Sequence, residues 1–541
     1  MVKNMFKNES TYKNFLESGN EKEFDRLFDL SIHNIKHLQN QEYFMYIDGK
    51  AQRGDSLLIE HSPIDSNIIL GKFQKGSRQH AKAAIDAAKN AFKTWGAIDY
   101  KKRAEIFFRF ADLLSQKKFD IAAILSMENG KSRYESIGEV DEAIDFSRYY
   151  SNELILNKGY KRKTHMDSSN NAGILGFQGA PGQEENVSIE LKPIGVFGII
   201  APFNFPISIS CGMSIGALIT GNTVVFKPSS TDNMTMLTGF KIYELLTQAG
   251  IPAGVFNFIT GPGSEIGNEM IENKDVCGIA FTGSKNTGTG MIKRSIELGI
   301  NRRFIIEMGG KNPAIVSKYA DIDNAVDGIS SAAFGYCGQK CSALSRVYIH
   351  SSIKEQFISK LIDKVRTFGI GNPLDKKNYV GPLIGKIAYE RYLNSITKIK
   401  ESGTLLYGGN NINVGLNGFY VEPCIAQLKQ DNELVHQELF VPILSVIEYT
   451  DFDNAIKMAN DIDYGLTAGL YSKKKQEIEQ FKEQIKSGVI YINRRSSATT
   501  GAIVGLHAFV GWKWSGFTGK GSGSKYYLEQ FTNEQSIAIA K

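Results

Sequence analysis

The spacing of apolar positions changes character four times along the chain. In the first 45 residues, Phe15, Phe24, Leu27, Phe28 and Leu30 recur at helical spacing in a polar background, which predicts an N-terminal helical arm over 1–45. Tyr46-Ile47-Asp48-Gly49-Lys50 then reads as a hairpin turn, because Asp-Gly tolerates the positive φ angles of a two-residue loop. From His80 to Glu128 the pattern is that of a long amphipathic helix. Ala84, Ala87, Ala88, Ala91 and Phe92 share one face, and Ile106, Phe107, Phe110, Leu113 and Leu114 continue it.

Beyond residue 190 short apolar runs alternate with helical segments. Val196-Phe197-Gly198-Ile199-Ile200 precedes a helix over Ile207 to Ile219, and Thr223-Val224-Val225-Phe226 precedes one over Met234 to Ala249. Val255 to Ile259, a further helix, and Cys277-Gly278-Ile279-Ala280-Phe281 complete the series. Strands alternating with helices predict a parallel sheet with right-handed crossovers. A second series from about Phe304 to Ile492 predicts a second α/β domain. Residues 158–190 lack either period; Lys161-Arg162-Lys163, Asn170-Asn171 and Gly179-Ala180-Pro181-Gly182 mark a long excursion, a flap or an arm between subunits.

Composition narrows the class. A chain of 541 residues is too long for one core and calls for two or three domains. Its 42% apolar and 22% charged residues are those of a soluble globular protein, and the net charge of +6 is spread without a basic stripe, so no nucleic-acid partner is expected. No apolar run reaches membrane-spanning length, since Val196 to Ile200 is followed by Pro202, Asn204 and Pro206. The N-terminus has no apolar core of a signal peptide and too many acids for a transit peptide. Five cysteines at irregular spacing make no disulfide framework and fit a reducing, cytoplasmic setting. The eight histidines show no paired metal spacing.

Several residues have chemistry to offer, each with an ordinary structural alternative. Cys341, in Gly338-Gln339-Lys340-Cys341-Ser342, is either a core thiol or a nucleophile toward a carbonyl. Glu307 ends the apolar run Phe304-Ile305-Ile306 beside Gly309-Gly310; it is a salt-bridged strand end or a general base of raised pKa. Asn204, between Pro202 and Pro206, is a turn asparagine or an oxyanion donor. Lys227 follows an apolar strand, where α/β sheets bind ligands and a lysine reaches ribose hydroxyls. Phe281-Thr282-Gly283-Ser284 passes from strand to helix, so Gly283 and Ser284 sit where free N–H groups attract a pyrophosphate. Gly261-Pro262-Gly263-Ser264-Glu265-Ile266-Gly267 has one residue too many for the dinucleotide fingerprint. Gly212-Met213-Ser214-Ile215-Gly216 matches the serine-hydrolase elbow, but inside a segment that reads as helix.

The order of these motifs resembles the aldehyde dehydrogenase superfamily over roughly residues 45–535, with Gln437-Glu438-Leu439-Phe440-Val441-Pro442 and Tyr464-Gly465-Leu466-Thr467-Ala468-Gly469 further along. The resemblance implies a Rossmann-type cofactor domain, a catalytic α/β domain and a small β oligomerisation flap. It implies Cys341 as nucleophile, Asn204 and the Cys341 N–H as oxyanion donors, and Glu307 as base for the water that hydrolyses the thioester. Lys227, Gly283, Ser284, Glu438 and Phe440 would hold NAD. The family's acylating branch lacks the base and passes the acyl group to coenzyme A, so the presence of Glu307 favours hydrolysis.

Ile492-Asn493-Arg494, Thr500-Gly501-Ala502-Ile503-Val504-Gly505, Phe509 and Ser515-Gly516 are similar to the branch that oxidises L-glutamate γ-semialdehyde, the open form of 1-pyrroline-5-carboxylate, in proline degradation. In that branch Ser342, Gly501 and Ala502 would bind the α-carboxylate, Phe205 and Phe509 would sandwich the chain, and Glu142 would be the helix glutamate near the site. There are three departures from the pattern: His507-Ala508-Phe509-Val510-Gly511 replaces Gln-Pro-Phe-Gly-Gly, Val441 replaces a glycine, and Ser230 replaces the glutamate that favours NAD, so NADP is also admitted. The expected division is 46–154 with 191–306 for NAD(P), 307–492 for catalysis, 493–514 as a substrate anchor loop, and 155–190 with 515–541 as flap and tail of a homo-oligomer. Succinate semialdehyde as substrate, a catalytically silent scaffold and a serine esterase using Ser214 stand as alternatives.

Overall fold

Two seven-stranded sheets carry the molecule in the computed structural model, which describes residues 6–9, 12–164, 185–230 and 234–540. Residues 165–184 of the expected flap and residues 1–5, 10 and 11 of the arm lie outside the described residues. In the first sheet the order is Arg303–Glu307, Val276–Thr282, Val196–Ile200, Thr223–Lys227, Phe256–Phe258, then the hairpin Met45–Ile47 and Lys50–Gln52. The first five strands are parallel, and their inner positions are almost wholly buried, as β-branched and aromatic runs covered on both faces require. The chain builds outward from Val196–Ile200 to Phe256–Phe258, then returns to lay Val276–Thr282 on the other flank. That reversal is a topological switch point, where open α/β sheets leave a crevice at their C-terminal edge. Register brings Lys227, Ile200, Phe281–Thr282 and Glu307 side by side along that edge.

The second sheet runs Thr404–Tyr407, Cys424–Gln427, Ile443–Tyr449, Leu344–His350, Asn312–Val316, Thr467–Tyr471, Val489–Ile492, and is parallel apart from its first strand. Arg303–Glu307 belongs to the first sheet and Asn312–Val316 to the second, so Glu307 to Lys311 crosses between them; the alternating series beginning near Phe304 therefore starts one strand later than its pattern indicates. A third, antiparallel sheet pairs Lys161–Thr164 with Glu185–Pro193 and that strand with Thr532–Ala540.

The helical stretch His80–Glu128 is three helices rather than one: Arg78–Trp95, Tyr100–Gln116 and Lys118–Asn129. Asp99 restarts the helix by accepting the Lys101 N–H, a capping arrangement that outweighs the continuous apolar face. The hairpin at Asp48-Gly49 has both residues at positive φ, 54° and 72°. Ser214 lies within the buried helix Ser208–Ile219, not on a strand-to-helix turn, so the hydrolase elbow is absent. All five cysteines are free thiols. Among the described residues no helix is long and apolar enough to cross a membrane, and no group of three or more His, Cys, Asp or Glu side chains is placed to hold a metal.

Candidate active site

Cys341 sits just before the strand Leu344–His350, facing the C-terminal edge of the first sheet. Tyr336, Cys337 and Gly338 are consecutive left-handed residues, with φ of 50°, 54° and 67°. Two non-glycine residues there cost backbone energy that the surroundings must supply. Glu135 accepts the Tyr336 N–H at 3.1 Å, and Gly338 lies so close to Val441 that a Cβ would stand 2.7 Å from its carbonyl oxygen. Beyond the turn, Asn312 Nδ2 donates to the carbonyls of Cys341 and Ala343 at 2.7 and 2.9 Å, and Thr499 Oγ1 donates to the Ser342 carbonyl at 2.7 Å. The segment is held by Glu135 of the helix Arg133–Leu156 on one side and by Asn312 of the second sheet and Thr499 on the other.

The thiol is buried beside Glu307. Burial and the Glu307 carboxylate both push the Cys341 thiol well above its ordinary pKa, while the Ser342 N–H favours the thiolate. Glu307 Oε1 is shut off from solvent and, among the described residues, has no hydrogen-bond partner; burial pushes the carboxyl up to about 7, with the thiol working the other way. The Glu307 backbone is fixed by the Gly283 N–H, which donates to its carbonyl at 3.1 Å, and by a bridge to Gly516.

Around this pair opens a cavity of about 1000 Å³, mouth included. Its walls include Glu142, Phe205, Ser342, Gly501, Ala502 and Phe509, so the structure brings every substrate-side residue singled out in the sequence to one chamber with Cys341 and Glu307. Residues 515–520 and Ser522, assigned from sequence to the tail, also form part of the wall. Burial pushes the Glu142 carboxyl up to about 7, with the neighbouring Ser208 hydroxyl opposing it. Asn204 is buried behind the wall; its Nδ2 donates to the Gln339 carbonyl at 3.1 Å, which leaves a second N–H to offer.

The cofactor-side residues occupy the switch-point edge and the loop facing it. Lys227 is buried and, among the described residues, its Nζ reaches only the Pro228 carbonyl, at 3.1 Å, which leaves two of its donors uncommitted there; burial lowers its pKa to about 8. Ser284 caps the helix Lys285–Glu297 by accepting the Thr287 N–H. Glu438 accepts the Gly310 N–H at 2.8 Å, and a Cβ at Gly309 would fall 2.5 Å from its carboxylate. Phe440, at φ 57°, packs edge-on against Phe203 at 5.8 Å. Spare ammonium donors, a helix N-terminus and a buried carboxylate are a donor set that fits a dinucleotide. Ser230 is buried with its hydroxyl on the Pro228 carbonyl, so its own side chain puts no carboxylate there.

The sequence reading passed over Lys131 and Glu139. The Lys131 ammonium is fully buried; it bonds Glu139 and the Asn204 carbonyl, and stands 3.7 Å from the Phe205 ring centre and 4.7 Å from that of Tyr336. Glu139 in turn accepts the N–H groups of Ile207 and Ser208 at 2.9 and 3.3 Å. One ion pair therefore ties the Asn204 loop to the turn before Cys341. A signal existed: Glu135, Glu139, Glu142 and Phe146 fall on one face of the helix Arg133–Leu156 and all reach the site.

This architecture, two α/β sheets meeting at a cysteine–glutamate pair, is that of an NAD(P)-linked aldehyde-oxidising fold, and the chain belongs to the aldehyde dehydrogenase family, which it matches over residues 51–537. Among its relatives, the Halalkalibacterium halodurans protein named 1-pyrroline-5-carboxylate dehydrogenase 1 is 33% identical over 521 residues, covering 95% of this chain and 96% of the relative. The Staphylococcus aureus protein named 1-pyrroline-5-carboxylate dehydrogenase is 32% identical, covering 98% and 99%. A Thermus 1-pyrroline-5-carboxylate dehydrogenase with bound NAD superimposes with a TM-score of 0.89 at 30% identity, with both chains fully covered.

Proposed function

We propose that this enzyme oxidises L-glutamate γ-semialdehyde to L-glutamate with a nicotinamide dinucleotide, a step of proline degradation. The observation that carries this reading is that one cavity is lined by Cys341 and Glu307, by Gly501 and Ala502, and by Phe205 and Phe509. A reactive aldehyde, a short aliphatic chain and a carboxylate are the complement of that arrangement. The full-length likeness to proteins named for this reaction supports it.

In this reading the Cys341 thiol gives up its proton to solvent in the cavity, its sulfur attacks the aldehyde carbon, and the new alkoxide is held by the Asn204 amide and the Cys341 N–H. A nicotinamide dinucleotide, when bound, would supply the hydride acceptor for this carbon. The resulting thioester stays on Cys341 until Glu307 takes a proton from water; the hydroxide adds to the carbonyl, the C–S bond breaks and the thiolate departs. Lys131 keeps Asn204 and Phe205 in place, Ser342, Gly501 and Ala502 bind the substrate carboxylate, and Glu142 faces the chain. Lys227, Gly283, Ser284, Glu438 and Phe440 hold the dinucleotide. With Ser230 in place of a glutamate, a 2′-phosphate meets no carboxylate from that position, so NADP is accepted beside NAD. Among the described residues the outer strand Thr532–Ala540 is paired on one edge only, with Ile539 exposed, which suits pairing in a homo-oligomer.

The test is a panel of L-glutamate γ-semialdehyde and succinate semialdehyde, each with NAD and NADP, on the purified enzyme and its Cys341→Ala variant. The expected result is higher kcat/KM for the glutamate semialdehyde and loss of reduced-cofactor formation in the variant. Equal or faster turnover of succinate semialdehyde overturns the substrate; retained activity in Cys341→Ala overturns the nucleophile.

A further inference from the structure

Arg494 follows the strand Val489–Ile492 and turns its guanidinium onto the loop that carries Gly501 and Ala502. Its Nη1 donates to the Thr500 carbonyl at 3.1 Å and its Nη2 to the Gly501 carbonyl at 2.8 Å, while Nε reaches Ser496 Oγ at 3.2 Å. The plane lies 4.6 Å from the Tyr491 ring centre, which sets its orientation. In a planar trans peptide the carbonyl of one residue and the N–H of the next point in opposite directions. Holding the carbonyls of Thr500 and Gly501 on Arg494 therefore turns the N–H groups of Gly501 and Ala502 away from it, toward the cavity that both residues line. Gly501 has φ 83°, the left-handed conformation that lets successive N–H groups converge on an anion. Among the described residues neither N–H has a protein acceptor.

We propose that Arg494 is the positioning residue for carboxylate selection: by gripping two successive carbonyls it aims two successive amides at the substrate's carboxylate. This rests on the reading above that Gly501 and Ala502 form the carboxylate site. Lysine cannot replace it, because a single ammonium lacks the planar fork that spans both carbonyls. Two neighbours complete the frame. Thr499 links the loop to Ser342, and His507 Nδ1 accepts the Ile503 N–H at 3.1 Å, which gives the unusual His507 a structural purpose.

The experiment compares kcat/KM for L-glutamate γ-semialdehyde and for pentanal, which has the same carbon chain without the charged groups, in the wild type, Arg494→Lys and Arg494→Met. The preference for the carboxylated substrate should fall by about tenfold or more in Arg494→Met, through KM rather than kcat, and by less in Arg494→Lys. The inhibition constant of the product L-glutamate should weaken by a similar factor. A general loss of packing would instead lower both substrates together and leave the ratio unchanged. A preserved ratio in either folded variant overturns the role of Arg494 while leaving the carboxylate site standing. A wild type with no preference between the two aldehydes overturns the carboxylate site and Arg494 with it.

Discussion

Replacing Glu307 by glutamine separates the two halves of the proposed reaction. The carboxyl moves from an ordinary 4.5 to about 7 because burial disfavours its charge. That difference corresponds to about 3 kcal/mol by which the folded protein disfavours the carboxylate, and it gives a base matched to neutral pH. In the wild type the hydrolytic rate should follow the deprotonated fraction, rising through pH 7 and levelling above about pH 8. Glu142 and Glu438 are also pushed up to about 7, so the profile alone does not identify the group. Glu307→Gln does: steady-state kcat should fall by about 10²–10⁴-fold, the worth of a general base, and lose its rise through pH 7. Rapid-mixing absorbance at the reduced-nicotinamide band should still show close to one equivalent formed per site before turnover stalls, because hydride transfer precedes hydrolysis. The raised pKa also has a sign for stability. Glu307 contributes fully below about pH 4.5 and loses that contribution as pH rises through 7. The glutamine variant should therefore resist urea better than the wild type at pH 8, by about 1–2 kcal/mol once the unpaired amide is counted, with the advantage gone near pH 4.5. Steady-state turnover within a few-fold of wild type, or absence of the burst, would refute the assignment.

Two further substitutions probe the frame around Cys341. Lys131→Met leaves Glu139 buried without its cation and should cost about 3–5 kcal/mol with a large fall in kcat; Lys131→Met/Glu139→Gln should recover much of the stability, read by urea unfolding, but not the kcat, because Asn204 stays unanchored. Gly338→Ala adds a Cβ 2.7 Å from the Val441 carbonyl at φ 67°, and should lose about 2–4 kcal/mol and most activity; an unchanged unfolding midpoint would show that the turn yields freely.

The α/β class was legible because both sheets are built from buried runs such as Val196–Ile200 and Leu344–His350, whose period survives any tertiary context. The candidate chemical residues were legible for a related reason: Cys341, Glu307 and Asn204 sit in short motifs at strand ends and turns, each with a glycine or a proline two or three residues away. The helix breaks near Gly96 and Lys117 were hidden, because a continuous apolar face does not reveal where a cap interrupts it. Lys131, and the contacts of Arg494, were hidden for a deeper cause. A charged side chain in a sequence reads as solvated surface until the fold removes water from it, and only then must it find partners. The sequence alone determined which groups can react and the order in which the chain presents them. Tertiary structure decided the rest: burial that raises Glu307 toward neutrality, one ammonium that joins the Asn204 loop to the cysteine turn, and one guanidinium that turns two backbone amides toward the cavity. These depend on groups far apart in the chain coming within hydrogen-bond range in a dry interior, which no local pattern encodes.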